Sequence, residues 1–233
     1  TSPFLSPRES IPPLVQLKKL VAASNQVSLG DNNRAQIKEL LDAGSGSLGG
    51  ARPKASVVDE GKLLLAKFSH PRDRWDVMAW EKTSLDIARK AGIPAPKARI
   101  LRLDTDSVLL LERFDRKGSR LAGPRIPYLS AMSLVGARDG SQNDYADVAE
   151  AMLDWCDDPL PQLRGLFERM TLSVALHNTD DHLRNTGFLR NNGHWELSPI
   201  FDVNINPDQT RCRATSIFGE TSKGEIKGLK EMA

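Results

Sequence analysis

Apolar positions along the chain change their period near its middle. Leu14, Leu17, Leu20 and Val21 recur at helical spacing, and 35–41 repeats that pattern over a shorter stretch. The small-residue run 43–51 then breaks helix. Residues 56–58 and 62–68 follow, the second with the apolar density of a buried strand, and together they predict a hairpin. Between 75 and 91, Val77, Trp80, Leu85, Ile87 and Ala88 predict a helix, which Gly92 and Pro94 end. Two further strands are predicted at 98–103 and 107–112, joined across 104–106, and the chain leaves the sheet at 113–117. Beyond Gly123 the period turns helical. Residues 145–156 and 163–176 carry apolar positions three and four apart, with Leu163, Leu166, Met170 and Val174 as the clearest stripe. The polar stretch 136–144 reads as a surface loop, and 225–233 as the opening of a helix. The expected class is α+β, with a β-rich lobe over 1–117 followed by a helical lobe over 118–233.

A chain of 233 residues that is 39% apolar can bury a substantial core. Its 32 basic and 30 acidic residues give a net charge of +2, too weak a field to announce nucleic acid or membrane as a direct partner. Cys156 and Cys212 stand far apart with no paired spacing, which suggests neither a disulfide framework nor a zinc site. No stretch approaches the ~20 apolar residues of a membrane span, and 1–13 lacks the apolar run of a signal peptide. A cytoplasmic protein is the expectation.

The candidate chemistry begins at 177–185, HNTDDHLRN, a polar run between a long apolar helix and the apolar pair Phe188 and Leu189. Asp180 followed five residues later by Asn185 is an acid and an amide at the spacing phosphoryl transfer uses: the carboxylate takes the attacking hydroxyl's proton and the amide oxygen holds a magnesium ion. An Asp- and Asn-rich turn closing a helix is the bland alternative. Asp202, following the apolar stretch 197–201, offers a second metal acid from a strand end, although an isolated Asp shortly before Asn and Pro is also an ordinary turn former. Gly44, Gly46, Gly49 and Gly50 could bring backbone N–H groups close to phosphates, and a flexible linker explains them equally well. They are no Walker A loop, because Gly50 and Ala51 stand where Lys and Ser or Thr are required. Lys67, at the end of the apolar run, is either a phosphate-binding strand lysine with Glu81 as its ion-pair partner or a lysine whose stem covers the core. What lifts these weak signals is their order: Gly-rich loop, strand lysine, helical glutamate, chain exit at 112–114, acid and amide, then a second acid is the order a kinase requires.

The motifs GSLGGARPKAS, LLLAKF, LLLERFDR, NTDDHLRN and LSPIFDVN closely resemble those of HipA-family kinases. The resemblance implies a two-lobed protein-kinase-like fold, ATP and Mg2+ as cofactors, and transfer of the γ-phosphoryl group to a protein serine or threonine. It implies Asp180 as catalytic base, with Lys67, His182 and Arg184 completing the catalytic set, and Asn185 and Asp202 as metal ligands. Leu48, Gly49, Gly50, Ala51, Arg52, Pro53 and Lys54 would cover the phosphates. Glu112, Arg113 and Phe114 would form the hinge that meets the adenine, while Lys67, His182 and Asn185 also face the nucleotide. Ser47 takes the place of an autophosphorylation site, with Ser45 a nearby alternative, and phosphorylation there predicts self-inactivation by expulsion of the loop. A HipB-like antitoxin that reaches operator DNA is the implied partner, and an aminoacyl-tRNA synthetase is a target in some relatives. Asp181 stands where some members have glycine and places a second carboxylate beside the preferred base, Asp180. A small-molecule kinase of related site chemistry and an inactive kinase-fold binding module are the competing readings.

Overall fold

The computed structural model describes residues 16–28, 52–104, 106–117, 123–138 and 140–233. The helical pattern at 35–41, the Gly-rich run and five of the site residues expected from it, Ser47, Leu48, Gly49, Gly50 and Ala51, lie outside them, as does Ser45. The chain divides into two compact units, Thr1–Lys82 with Lys97–Arg125, and Thr83–Pro96 with Ile126–Ala233.

The first unit is built on a four-stranded antiparallel sheet. Its strands are β1 (Lys54–Asp59), β2 (Lys62–Phe68), β3 (Ala98–Leu103) and β4 (Asp106–Glu112), in the order β1-β2-β4-β3. Glu60 and Gly61 join β1 to β2 in a two-residue turn with φ of +47° and +74°, a geometry whose twist matches the flanking strands. The pleat sorts the side chains by face. Ala55, Val57, Leu64, Ala66, Phe68, Val108 and Leu110 pack with Leu17, Leu20, Val21 and Ala23 of helix α1 (Leu17–Ser28). Alternation therefore turns Lys54 and Lys67 to the opposite face, where the β1–β2 register sets them directly across from one another.

Helix α2 (Val77–Lys90) starts where the Asp76 carboxylate accepts the Ala79 N–H at 2.9 Å, so Trp75, expected inside the helix, lies before it. It ends in a Schellman turn: Gly92, at φ +85°, donates to Arg89, and Ile93 donates to Ala88. The division between units passes through this helix, after Lys82.

The second unit holds α3 (Ala131–Leu134), α4 (Tyr145–Trp155), α5 (Pro159–Ala175) and α6 (Glu225–Met232), with Val148, Met152, Leu166, Met170, Leu183, Phe188 and Ile217 in its core. It is not wholly helical, as the sequence period suggested. A three-stranded antiparallel sheet runs β5 (Tyr128–Ser130), β6 (Gly187–Asn191) and β7 (His194–Leu197). Strands of three to five residues are too short to show a period. The signal present was Asn192-Gly193, a hairpin dipeptide whose residues take φ of +50° and +95°. No helix among the described residues is long and apolar enough to cross a membrane, and both cysteines are free thiols.

Candidate active site

In the first unit Lys67 and Glu81 meet. The ammonium donates to Glu81 Oε1 at 2.6 Å, with side chains only 5% and 1% exposed. Burial on the sheet face away from α1 removes water from both charges, so their pairing is what makes the burial tolerable. Lys54, across the hairpin, brings a second buried ammonium stem to that face. Of the other expected phosphate-covering residues, Arg52 forms a fork with Asp73, with both N–O distances 2.8 Å. Burial works against the Asp73 charge, but the Arg52 guanidinium and the His70 N–H hold its carboxyl below the usual range. At the expected hinge, the Glu112 N–H donates to the Lys97 carbonyl and the Arg113 N–H to the Leu63 carbonyl. Both backbone N–H groups are thus taken within the first unit. The Glu112 carboxylate accepts from Lys62 at 2.7 Å, and Asp115 takes the Arg113 guanidinium.

In the second unit the run 177–185 is a loop fixed at many points. Helix α5 ends in a Schellman motif with His177 at φ +49° in the position glycine usually takes; His177 donates to Val174 and Asn178 to Ser173. Leu183 is fully buried, and its carbonyl accepts from Met132 while that of Thr186 accepts from Ala131. On the other side the Asn206 amide donates to Thr179 Oγ1 at 2.7 Å, Asn206 N–H to the His177 carbonyl and Ala214 N–H to the Thr179 carbonyl. The segment following Asp202 is thus stitched to the loop that carries Asp180.

The two neighbouring carboxylates have opposite fates. Asp180 is exposed, whereas Asp181 is 7% exposed and its Oδ2 accepts from Tyr145 Oη at 2.7 Å, Ser173 Oγ at 2.6 Å and Arg213 Nη2 at 2.9 Å. Full burial and the Asp181 charge push the Tyr145 hydroxyl well above its ordinary pKa. The Asp181 carboxylate is thus committed to three donors inside the fold, whereas Asp180 reaches solvent. Asn185 folds back so that its Nδ2 donates to the Asp180 carbonyl at 3.1 Å, which fixes the orientation of its amide group. His182 is half-buried, and its Nδ1 finds no partner among the described residues; Arg184 is exposed.

Asp202 does not come from a strand end. β7 stops at Leu197; Ser198 N–H still donates to the Gly187 carbonyl at the start of β6, and Pro199 then has no N–H to extend the ladder. Ile200 N–H then donates to the Pro94 carbonyl, and Asp202 adopts φ +58°, a left-handed conformation that Asp tolerates better than bulkier residues. Its Oδ1 accepts from Asn204 Nδ2 at 3.2 Å, and the buried Asn204 Oδ1 is left without a partner among the described residues.

A model of the HipA-like C-terminal domain matches residues 46–231. The chain belongs to the HipA-like C-terminal domain family. A Haemophilus influenzae protein named "Putative kinase" is 26% identical over 140 residues, which is 54% of this chain and 41% of that protein. Among solved structures, HipA from the Shewanella oneidensis toxin–antitoxin complex with HipB and operator DNA superposes with a TM-score of 0.63 at 16% identity, covering 79% of this chain and 51% of that one. The Helicobacter pylori proinflammatory kinase CtkA gives 0.57 at 20% identity, covering 69% and 56%. These likenesses show a mixed α and β fold of the HipA and CtkA kind, and the chain spans about half the length of the relatives it matches.

For this HipA-like chain, the donors named as metal ligands are an amide and a carboxylate, the hard oxygens that suit magnesium. No three His, Cys, Asp or Glu side chains gather into a cage among the described residues. Asn185 and Asp202 alone would leave most of an octahedral shell to water and phosphate oxygens, which is how magnesium is commonly held beside a nucleotide. Sequence reasoning missed Tyr145, Ser173, Asn206 and Arg213, which hold the loop. Arg213 lies in a polar, aperiodic stretch where nothing local marks a buried cation.

Proposed function

We propose that this chain is the catalytic region of an ATP-dependent protein serine/threonine kinase of the HipA type. The observation that carries it is the buried Lys67–Glu81 pair at 2.6 Å, because a strand lysine held by a helical glutamate is the device kinases use to grip ATP phosphates. Family membership and the exposed Asp180 beside Asn185 support the same reading. Asn185 and Asp202 would hold Mg2+, which would neutralise charge on the phosphates of ATP, and a serine or threonine hydroxyl would attack the γ-phosphorus. A new P–O bond forms, the bond to the bridging oxygen breaks, ADP departs, and the hydroxyl proton passes to Asp180.

The acceptor is a protein hydroxyl, with Ser47 of the chain itself as the first candidate, and a HipB-like antitoxin is the partner suggested by the HipA relative solved with HipB and operator DNA. Incubation with γ-labelled ATP and Mg2+ tests the reading. Label on a serine, absent in Asp180→Ala and in Asp202→Ala, is the expected result. ATP consumption with no label on any protein would overturn the assignment to protein acceptors.

A further inference from the structure

We propose that Asp181 is a positioning residue that locks the catalytic loop, and that Arg213 is the clamp holding it. The proposal deepens the kinase reading and rests on it for the roles of the neighbouring Asp180 and Asn185. The geometry stands on its own. The Arg213 side chain is completely buried, and each part of its guanidinium is committed. Nε donates to the Thr215 carbonyl at 2.7 Å, Nη1 to Glu225 of α6 at 2.9 Å, and Nη2 to both Ser173 Oγ and Asp181 Oδ2 at 2.9 Å.

One cation therefore ties together the loop, helix α5 through Ser173 and helix α6 through Glu225. Two carboxylates beside a single guanidinium, with hydroxyls filling the remaining positions, form a network in which removal of any member leaves a buried polar group unsatisfied. Backbone bonds run in parallel: Arg213 N–H donates to the Thr221 carbonyl and Ala214 N–H to that of Thr179.

The consequence lies one residue away. Asp181 sits between Asp180 and His182, so immobilising its carboxylate fixes the direction in which the Asp180 side chain leaves the backbone. A glycine here would leave the direction to loop contacts alone. A misplacement of about 1 Å at a reacting group can cost roughly 100-fold in rate, so a clamp at this point acts on turnover more than on nucleotide binding.

The test uses the full chain in four forms: wild type, Asp180→Asn, Asp181→Asn and Tyr145→Phe. Two readouts are taken, amide hydrogen exchange over 177–186 and ADP formation from ATP with Mg2+. In Asp181→Asn, exchange in this segment should accelerate at least about tenfold, with α5 still protected. Its kcat should fall about 10- to 100-fold while the KM for ATP stays within about threefold. Tyr145→Phe, which keeps the Asp181–Arg213 pair, should shift both readouts the same way by less, and it replaces Asp181→Asn if that variant does not fold. Asp180→Asn should lose turnover with loop exchange unchanged. The clamp is overturned if Asp181→Asn exchanges and turns over like wild type, or if it abolishes turnover with the loop still protected, which would make Asp181 the base. A wild type that never cleaves ATP would count against the kinase reading alone, and the exchange data would then decide the clamp.

Discussion

Asp144 Oδ2 accepts the backbone N–H of Gly219 at 2.7 Å, joining residues 75 positions apart. The same carboxylate accepts from Phe218 N–H at 3.1 Å and Ala146 N–H at 2.8 Å, so one side chain caps α4 and grips the tip of the 217–220 turn. That tip needs a grip. Phe218 is held at φ +52°, which is costly for a bulky residue, and Ile217 and Glu220 close the turn by donating to one another's carbonyls. Burial disfavours the Asp144 charge, yet the donors from Ser216, Ala146, Gly219 and Phe218 outweigh it and hold the pKa below the ordinary value of 3.8. The folded state thus favours the ionised form. Its contribution is complete above the unfolded-state value and disappears as pH falls through the lower folded value. Urea unfolding at a series of pH values should show Asp144→Asn less stable at pH 7 and with a shallower loss of stability below about pH 4 than wild type. Parallel acid profiles would remove Asp144 from the account.

Gly228 is required by the approach of α6 to the same turn. A Cβ at this position would lie 2.1 Å from the Ile217 carbonyl oxygen, a backbone atom already engaged by Glu220 N–H. Alanine improves helix propensity by about 1 kcal/mol, and the clash opposes it with an overpacking cost of roughly 1–3 kcal/mol plus displacement of the helix. The clash should win. Gly228→Ala is expected to melt several degrees below wild type, whereas Lys227→Ala, at a surface ion pair of 3.6 Å, should leave the midpoint within about a degree.

How much of this was readable in the chain depends on how local each cause is. The first sheet, α2 and the Lys67–Glu81 pair followed from apolar runs and ordered spacing, because strand period and helix period act over a few residues. The order of Asp180, Asn185 and Asp202 was also legible. What could not be read was which of two adjacent aspartates faces solvent. That choice is made by Tyr145, Ser173 and Arg213, which are 36, 8 and 32 residues from Asp181. Asp202 was expected at a strand end; Pro199, which has no N–H for the ladder, and the bond of Ile200 N–H to the Pro94 carbonyl take the chain out of the sheet first.

The Lys67–Glu81 pair should behave as a unit in stability as well as in binding. Both side chains are nearly dry, so Glu81→Ala leaves an ammonium buried beside a void, a loss of about 3–5 kcal/mol for a broken buried pair. Replacing both by apolar residues of similar volume, Lys67→Met with Glu81→Leu, removes both desolvation costs and should recover most of that loss. A double-mutant cycle by urea unfolding is expected to give a coupling above about 1 kcal/mol. Additive single effects would show that the two charges are satisfied independently. The double variant should nevertheless bind ATP far more weakly than wild type, separating the fold's need for the pair from the ligand's.

Arg169 presents the opposite case, a buried cation whose hydrogen bonding is incomplete. Its Nη2 donates to the Ser198 carbonyl, its Nε has no partner among the described residues, and burial pushes its pKa down to about 10. The sign follows from that direction: a cation whose folded pKa lies below its unfolded value is disfavoured by folding, and stability recovers only as pH rises above about 10. Against this stands the Ser198 carbonyl, whose loss of a donor costs about 1–3 kcal/mol, comparable with the relief from removing the charge. Arg169→Met, which keeps volume, should therefore melt within a few degrees of wild type at pH 7, while Arg169→Ala should fall well below it by adding a cavity. If the Met variant drops as far as the Ala variant, the bond to Ser198, and with it the path of the chain toward Asp202, outweighs the cost of burying the charge.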